Sequence, residues 1–486
     1  MNYLCSSSIS QMLTTMKSQQ DLATAKLEKE KVGKLLLHYS IPAIIGTVVT
    51  SLYNIVDRVF IGQGVGPMAI SGLALTFPLM TLFTAIGTLV GVGAAARLSI
   101  VLGMKDIKWA RNILGNAFIL TFLLSLIVTT IALVYLPEIL TAFGGSPQTL
   151  PYAIDYLKIV VPGSVLINLS YSFSNMMRAA GYPNKSMYTL LLGVVMNVIL
   201  DPIFIFGLEM GIKGAAYATV ISMFVSALFV MSHFFNPKHV VHFEKGCMKL
   251  KGYIIRNITS IGMAPFLMNV AACGVNVIMN HQLVHHGGDL AIGAYGIFSS
   301  YALLIVMSVM GLCQGMQPII GYNYGAQKYK RVKDTLLLTL RVGIIIMTIG
   351  FAACEIFPGL LVSAFTNDPQ LKEMAVKGIR LAFMLLPIVS LQIIISNFFQ
   401  SISKATQAIF LGLSRQVIFL IPSLYFLSNW LGLTGVWLSI PVSDLLAAIV
   451  AITLLMKENA TFILLKNQGL NNLLHRHFLN SICRII

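Results

Sequence analysis

The feature that most constrains this chain is a rhythm. Apolar segments of about 20 to 30 residues follow one another from residue 35 to residue 456, with only short polar connections between them. A helix needs about 20 such residues to cross the hydrocarbon layer of a bilayer, and no soluble core asks for so many in series. The segments fall near 35–62, 69–100, 112–136, 151–180, 186–206, 212–235, 254–285, 290–322, 335–358, 370–402, 406–427 and 433–456. They predict an all-α polytopic membrane protein with twelve transmembrane helices. Charge agrees, because only 10% of the 486 residues are charged where a soluble chain carries about 25%. Several segments exceed what a bilayer requires, which predicts tilt or kinks.

The formal net charge of +16 does not point to nucleic acid, because the lysines and arginines do not cluster. They alternate with the loops. The amino-terminal segment and every second connection hold Lys17, Lys26, Lys29, Lys31 and Lys34; Lys105, Lys108 and Arg111; Arg178 and Lys185; Lys238, Lys245, Lys249, Lys251 and Arg256; Lys328, Lys330, Arg331 and Lys333; and Lys404. With Lys457, Lys466, Arg476 and Arg484 at the far end, the positive-inside rule places both termini in the cytoplasm. Residues 1–34 lack an apolar core, so they are expected to be a flexible cytoplasmic tail rather than a cleavable signal. Two lobes are expected, 35–235 and 254–456, joined by a cytoplasmic loop at 236–253 and followed by a tail at 457–486. Cys5, Cys247, Cys273, Cys313, Cys354 and Cys483 show no paired spacing, so neither a disulfide framework nor a metal cluster is expected.

Sliding the second half over the first exposes an internal repeat. Pro42 lies over Pro265 and Asp57 over Asn280 at a shift of 223, and Gly93 over Gly315 and Gly103 over Gly325 at 222. Farther on, Pro162 meets Pro387, Pro202 meets Pro422, and "GIKGAAYAT" meets "GLTGVWLS". Six helices per unit is an even number, so both copies enter the membrane in one orientation, related by an axis along its normal. That is the parallel-repeat plan of transporters, in which a site near the midplane is exposed alternately by two rocking bundles. No G-x-x-x-x-G-K-[ST] phosphate loop occurs, so no ATP and no other cofactor is expected. The driving force must come from an ion gradient.

An ion-coupled carrier needs a group in the membrane that binds and releases a cation. In "NVILDPIFIFG", Asp201 stands before a proline inside an otherwise uncharged run, at a cost of roughly 2.5–3.5 kcal/mol for a charge at the bilayer centre. Asn197 precedes it by one helical turn, and in "YNIVD" Tyr53 precedes Asp57 likewise. Pro202 has no N–H, which frees the carbonyl of Val198. These oxygens suit either Na⁺ or a carboxyl that carries a proton. The competing reading is that Asp201 pairs with an arginine. Asn280 and Ile421 stand at the corresponding positions of the carboxyl-terminal half, so the acid chemistry is expected in the amino-terminal half only.

Several stretches together resemble the multidrug and toxic compound extrusion (MATE) transporters, in their DinF-like branch: "DRVFIGQGVG" near the first helix, "NVILDPIFI", "GAAYAT", and "QPIIGYNYGA" at Gln317–Ala326. The resemblance covers about residues 35–456. It implies a two-lobed antiporter that expels organic cations or amphiphiles in exchange for inward H⁺ or Na⁺. It implies a coupling site at Asp57, Asn197 and Asp201, with oxygens from Tyr53 and Thr219. Residues 386–402 hold no acid where one branch of the family carries a second one.

Asn269, Asn276 and Asn280 share a face of the seventh segment, and Gln314 and Gln317 one of the eighth; these are candidates for a substrate cavity. Arg97 and Arg415 are expected to snorkel or cap helices, and His281, His285 and His286 fall toward an outer end beside Gly287–Gly288. A monomer is expected. Two alternatives are a lipid-linked oligosaccharide flippase, which would want cations in the cavity, and an intramembrane enzyme. The latter lacks support, because neither HExxH nor GxSxG occurs and no catalytic residue is assigned.

Overall fold

The computed structural model of the protein describes residues 26–467 except 66 and 144. The tails expected at residues 1–25 and 468–486, with Cys5 and Cys483, lie outside the described residues. Among the described residues the regular structure is all helical: α1 Val32–Gly64, α2 Pro67–Gly103, α3 Ile107–Val134, α4 Leu136–Ala142, α5 Leu150–Ala179, α6 Pro183–Pro202 and α7 Gly211–Phe235 form the amino lobe. The carboxyl lobe holds α8 Gly252–Gly288, α9 Leu290–Gly325, α10 Tyr329–Ile356, α11 Pro358–Ser363, α12 Pro369–Phe383, α13 Leu386–Ser401, α14 Ala405–Leu413, α15 Ile421–Leu431 and α16 Leu433–Asn467. Among the described residues, 11 helices are long and apolar enough to cross a membrane, or up to 12 when α12 and α13, bent by 52°, count as one broken span.

The breaks have local causes. Pro387 sits at the start of α13 and cannot continue the preceding helix. Between α8 and α9 the chain turns at Gly288, whose φ of 67° favours a residue without Cβ. After Pro202 the backbone winds as a π turn over Ile203–Gly207. Two short helices, α4 and α11, were not expected; they occupy corresponding places after the third helix of each lobe.

The repeat extends to single atoms. Ser174 Oγ donates to the carbonyl of Ser186 at 3.2 Å, and 222 residues later Ser396 Oγ donates to the carbonyl of Ala408 at 3.4 Å. Lys105 and Gln327, also 222 apart, are both left-handed, at φ 62° and 58°. The seam between the lobes obeys the same shift. A Cβ at Gly103 would lie 2.0 Å from the carbonyl oxygen of Tyr322, and one at Gly325 would lie 2.0 Å from that of Ile100. Gly93 approaches Ile258 and Gly262, while its counterpart Gly315 approaches Ser40. Each contact exchanges lobes under the shift, as a two-fold relation requires. Helices in a membrane gain little from hydrophobic contact with one another, so close backbone approach at small residues is what binds them. All these contacts lie toward the end that carries the basic loops.

Two sequence expectations change here. Residues 26–34 are not a free tail: Leu27 is fully buried, and its carbonyl accepts from Asn323 Nδ2 at 3.3 Å and Arg331 Nη2 at 3.1 Å. Glu28 adds an ion pair to Lys328 at 2.7 Å, so this segment of the amino lobe is strapped to the other lobe's α9–α10 turn. A buried leucine and carbonyls that need donors fix it. At the far end, α16 runs through Asn467 and does not give way to a tail at 457.

The inter-lobe loop is laid against the amino lobe. Asn116 accepts from the backbone N–H of Lys251 at 2.8 Å and donates to the carbonyl of Lys249 at 3.1 Å. His239 stacks on His233 at 3.8 Å, with its Nδ1 3.2 Å from Tyr182 Oη, and His242 and Lys185 nearby. Burial first, then the charges of Lys185 and His242, pushes the His239 imidazole down to about 4. Its contribution to stability is complete above an ordinary imidazole value of about 6.5 and is lost as pH falls toward the depressed one. The melting temperature of the purified protein should therefore fall between these pH values, and His239→Gln should flatten part of that fall; parallel profiles would contradict the assignment.

A Cβ at Gly262 would stand 1.6 Å from the carbonyl oxygen of Leu89. Gly262→Val should cost about 1–3 kcal/mol by overpacking, read as a lower melting temperature in detergent, whereas the same change at Gly274, which has open space, should not.

Candidate functional site

The amino lobe gathers its polar groups at one point. α1 supplies Tyr53 and Asp57, α6 supplies Asn197 and Asp201, and α7 supplies Thr219. Asp201 is fully buried, and Asp57, Asn197 and Thr219 are each at most 8% exposed. The spacing of four residues puts each pair on one helix face, and the π turn after Pro202 ends α6 just beyond the acid. π turns recur at functional positions because they re-aim side chains within a helix.

The Asp57 and Asp201 carboxyl groups lie close enough to act on each other. In the orientation that satisfies its neighbours, the Asn197 amide donates to Asp201 Oδ2 at 2.8 Å and to Tyr53 Oη, while its oxygen accepts from the Thr219 backbone N–H at 3.1 Å. Thr219 Oγ1 donates to the Ala215 carbonyl at 2.9 Å and stands in hydrogen-bonding reach of Tyr53 and Tyr156. Among the described residues no ion pair reaches Asp201. The arrangement is a closed set of oxygens and one amide nitrogen around two acids, shielded from solvent.

All five residues expected at the coupling site are thus brought together. Tyr156, on α5, joins them and was not expected. One tyrosine in "PYAIDYL" looks like any packing residue, and nothing in its spacing distinguishes it. The carboxyl lobe also holds a buried acid, one that the sequence does not single out: Asp444 in α16 is buried and pairs with Arg415 at 2.6 Å. Arg415 therefore neither snorkels nor caps, because a carboxylate one helix away satisfies it within the lobe. Arg97 is also buried, with its guanidinium 4.6 Å from the centre of the Trp109 ring.

The cavity candidates separate into two groups. Asn269 donates to Thr88 Oγ1 at 3.4 Å, Gln317 to the Val92 carbonyl at 3.4 Å, and Gln314 accepts from Arg178 at 2.7 Å. All three bonds cross the seam between lobes, where polar groups must find partners because no water competes for them. Asn276 and Asn280 are exposed on α8.

The MatE family model matches this chain twice, at residues 42–203 and 263–426. The chain belongs to the MatE family of transporters. The double match restates the internal repeat, one copy per lobe. The multidrug export protein MepA of Staphylococcus aureus strain MRSA252 is 30% identical over 437 residues, covering 89% of this chain and 96% of that protein. MepA of Staphylococcus haemolyticus strain JCSC1435 is 30% identical over 428 residues, covering 87% and 93%. An outward-facing multidrug resistance MATE transporter of the MOP superfamily superposes with a TM-score of 0.85 at 24% identity, over 90% of this chain and 98% of that one. A MOP superfamily transporter from Pyrococcus furiosus, described as having a binding pocket of reverse polarity, gives 0.84 at 23%, over 88% and 95%. These likenesses show the fold, a multi-pass membrane protein of two lobes.

Asn197→Leu in this MatE protein should leave a buried carboxylate oxygen without its donor and cost about 1–3 kcal/mol. Thermal unfolding in detergent would read it as a lower midpoint, and an unchanged midpoint would mean that the amide does not hold Asp201.

Proposed function

We propose that this protein is a secondary active multidrug efflux antiporter of the cytoplasmic membrane. It exports organic, mainly cationic or amphiphilic compounds in exchange for inward protons, with its termini and basic loops in the cytoplasm. The observation that carries the proton reading is the closeness of the Asp57 and Asp201 carboxyls. Two carboxylates cannot lie side by side in a low dielectric with both charges intact, so one proton held between them relieves the repulsion. Sodium is less well served, because the Asn197 amide turns its nitrogen to Asp201 and commits its oxygen to Thr219. A hard cation wants oxygens, not N–H donors.

In the cycle that follows, an organic cation reaching the chamber favours the dyad in its deprotonated, negatively charged form. A proton arriving from the outside removes one unit of that negative charge and weakens the pair's hold on the cation. Tyr53, Tyr156 and Thr219 keep the acids oriented through either state, and Asn276 and Asn280 are offered to the substrate from the other lobe. The lobes rock about the seam to exchange access. The resemblance to the DinF-like branch supports the same amino-lobe mechanism, and the export named for the MepA relatives supports the substrate class.

Efflux of a fluorescent organic cation from vesicles carrying the purified protein tests this. A proton gradient should drive it and a sodium gradient should not. Asp57→Asn and Asp201→Asn should each lower proton-driven efflux by at least about tenfold, the scale of a lost charged partner, while the variants still fold. Normal transport by both variants would sink the amino-lobe mechanism. Sodium-driven efflux would overturn proton coupling.

A further inference from the structure

Arg178 ends α5 and is 3% exposed, yet its hydrogen-bond partners are neutral. It donates to Asn175 Oδ1 at 3.5 Å, Ser186 Oγ at 3.2 Å and Gln314 Oε1 at 2.7 Å. Among the described residues no carboxylate pairs with it. This departs from the habit of buried arginines, and within this same chain Arg415 has Asp444. Asn175 and Ser186 belong to the lobe of Arg178. Gln314 belongs to α9 of the other lobe and makes the shortest of the three bonds.

The repeat shows that the charge is placed once. A shift of 222 carries Asn175 onto Asn397, Ser186 onto Ala408 and Arg178 onto Gln400, so the second lobe has an amide where the first has a guanidinium. The bond lies in the seam that the glycine pairs close, at the end that carries the basic loops. Alternating access must open that seam and separate Gln314 from Arg178. Against a neutral amide the guanidinium holds the lobes by one charge-assisted hydrogen bond, which water replaces readily once the seam parts. A carboxylate at the same place would hold far harder, because the guanidinium is already desolvated by its own lobe and only the new group would lose water.

We propose that Arg178 and Gln314 form the latch that keeps the basic-loop end closed, and that an amide stands at 314 because a carboxylate would stop the seam from opening. Arg178 is then a positioning residue of the transport cycle, separate from the acids that couple it. The proposal rests on the alternating-access reading given above, but not on which ion drives it.

The test reads the seam directly. Spin labels are placed at Met104→Cys and Lys330→Cys, both exposed near the two symmetry-related turns, in the full chain with its native cysteines replaced. Pulsed EPR distances are then recorded in vesicles without substrate or gradient, so failure of ion coupling leaves the readout untouched. Gln314→Glu should shift the populations toward the short, closed distance by about tenfold or more and slow efflux by a similar factor. Gln314→Met and Arg178→Gln should shift them toward the long distance by about tenfold, the scale of one hydrogen bond to a charged group. Should Arg178→Gln fail to fold, the two Gln314 variants carry the test alone. Unchanged distances in both Gln314 variants, or a longer distance in Gln314→Glu, would overturn the latch.

Discussion

Two carboxylic acids close together inside hydrocarbon constrain everything around them. They cannot be left charged together, they cannot be left without donors, and they cannot be reached by bulk water without losing their mutual influence. The amino lobe meets these demands with groups from four helices: Tyr53 and Asp57 on α1, Tyr156 on α5, Asn197 and Asp201 on α6, and Thr219 on α7. Pro202 and the π turn behind it stop α6 from continuing as a regular helix. On the proposed mechanism, this frame lets the charge of the site change while the side chains around it stay in place.

The seam supplies the second requirement. Its contacts occur in pairs that exchange lobes under a shift of 222, as Gly103 with Tyr322 and Gly325 with Ile100 do. Where backbone lies directly against backbone at these glycines, the junction closes tightly through contacts that are individually weak. Onto this symmetric junction the chain adds unsymmetric fastenings: Arg178 bonded to Gln314, and the strap at Leu27 and Glu28. The acids are unsymmetric as well, since Asn280 and Ile421 stand where Asp57 and Asp201 would recur. The fold is duplicated, whereas the chemistry is not.

Much of this was legible in the sequence because a bilayer imposes length and polarity so strictly. Spans such as 212–235 and 433–456 begin within one residue of the observed helices, and the five residues that gather around the two acids can be picked out from one-turn spacings and family motifs. What stayed hidden was whatever depends on a partner distant in sequence. Tyr156 has no local mark, Leu27 is one leucine in a polar segment, and Asp444 acquires meaning only beside Arg415. Arg178 was counted among loop charges, yet it is buried in the seam. Polar residues in the spans signalled that they needed partners but not whether those partners were substrate or the other lobe, so Asn269, Gln314 and Gln317 could not be told from cavity-lining residues.

The central claim is that the Asp57–Asp201 pair gives up a proton when an organic cation binds. Calorimetric titration of the purified protein with tetraphenylphosphonium, repeated in two buffers of different ionisation enthalpy at one pH, counts the protons released. The account predicts a release approaching one proton per cation bound, abolished in the Asp57→Asn, Asp201→Asn double variant. Binding enthalpies that do not depend on the buffer, with affinity intact, would contradict it.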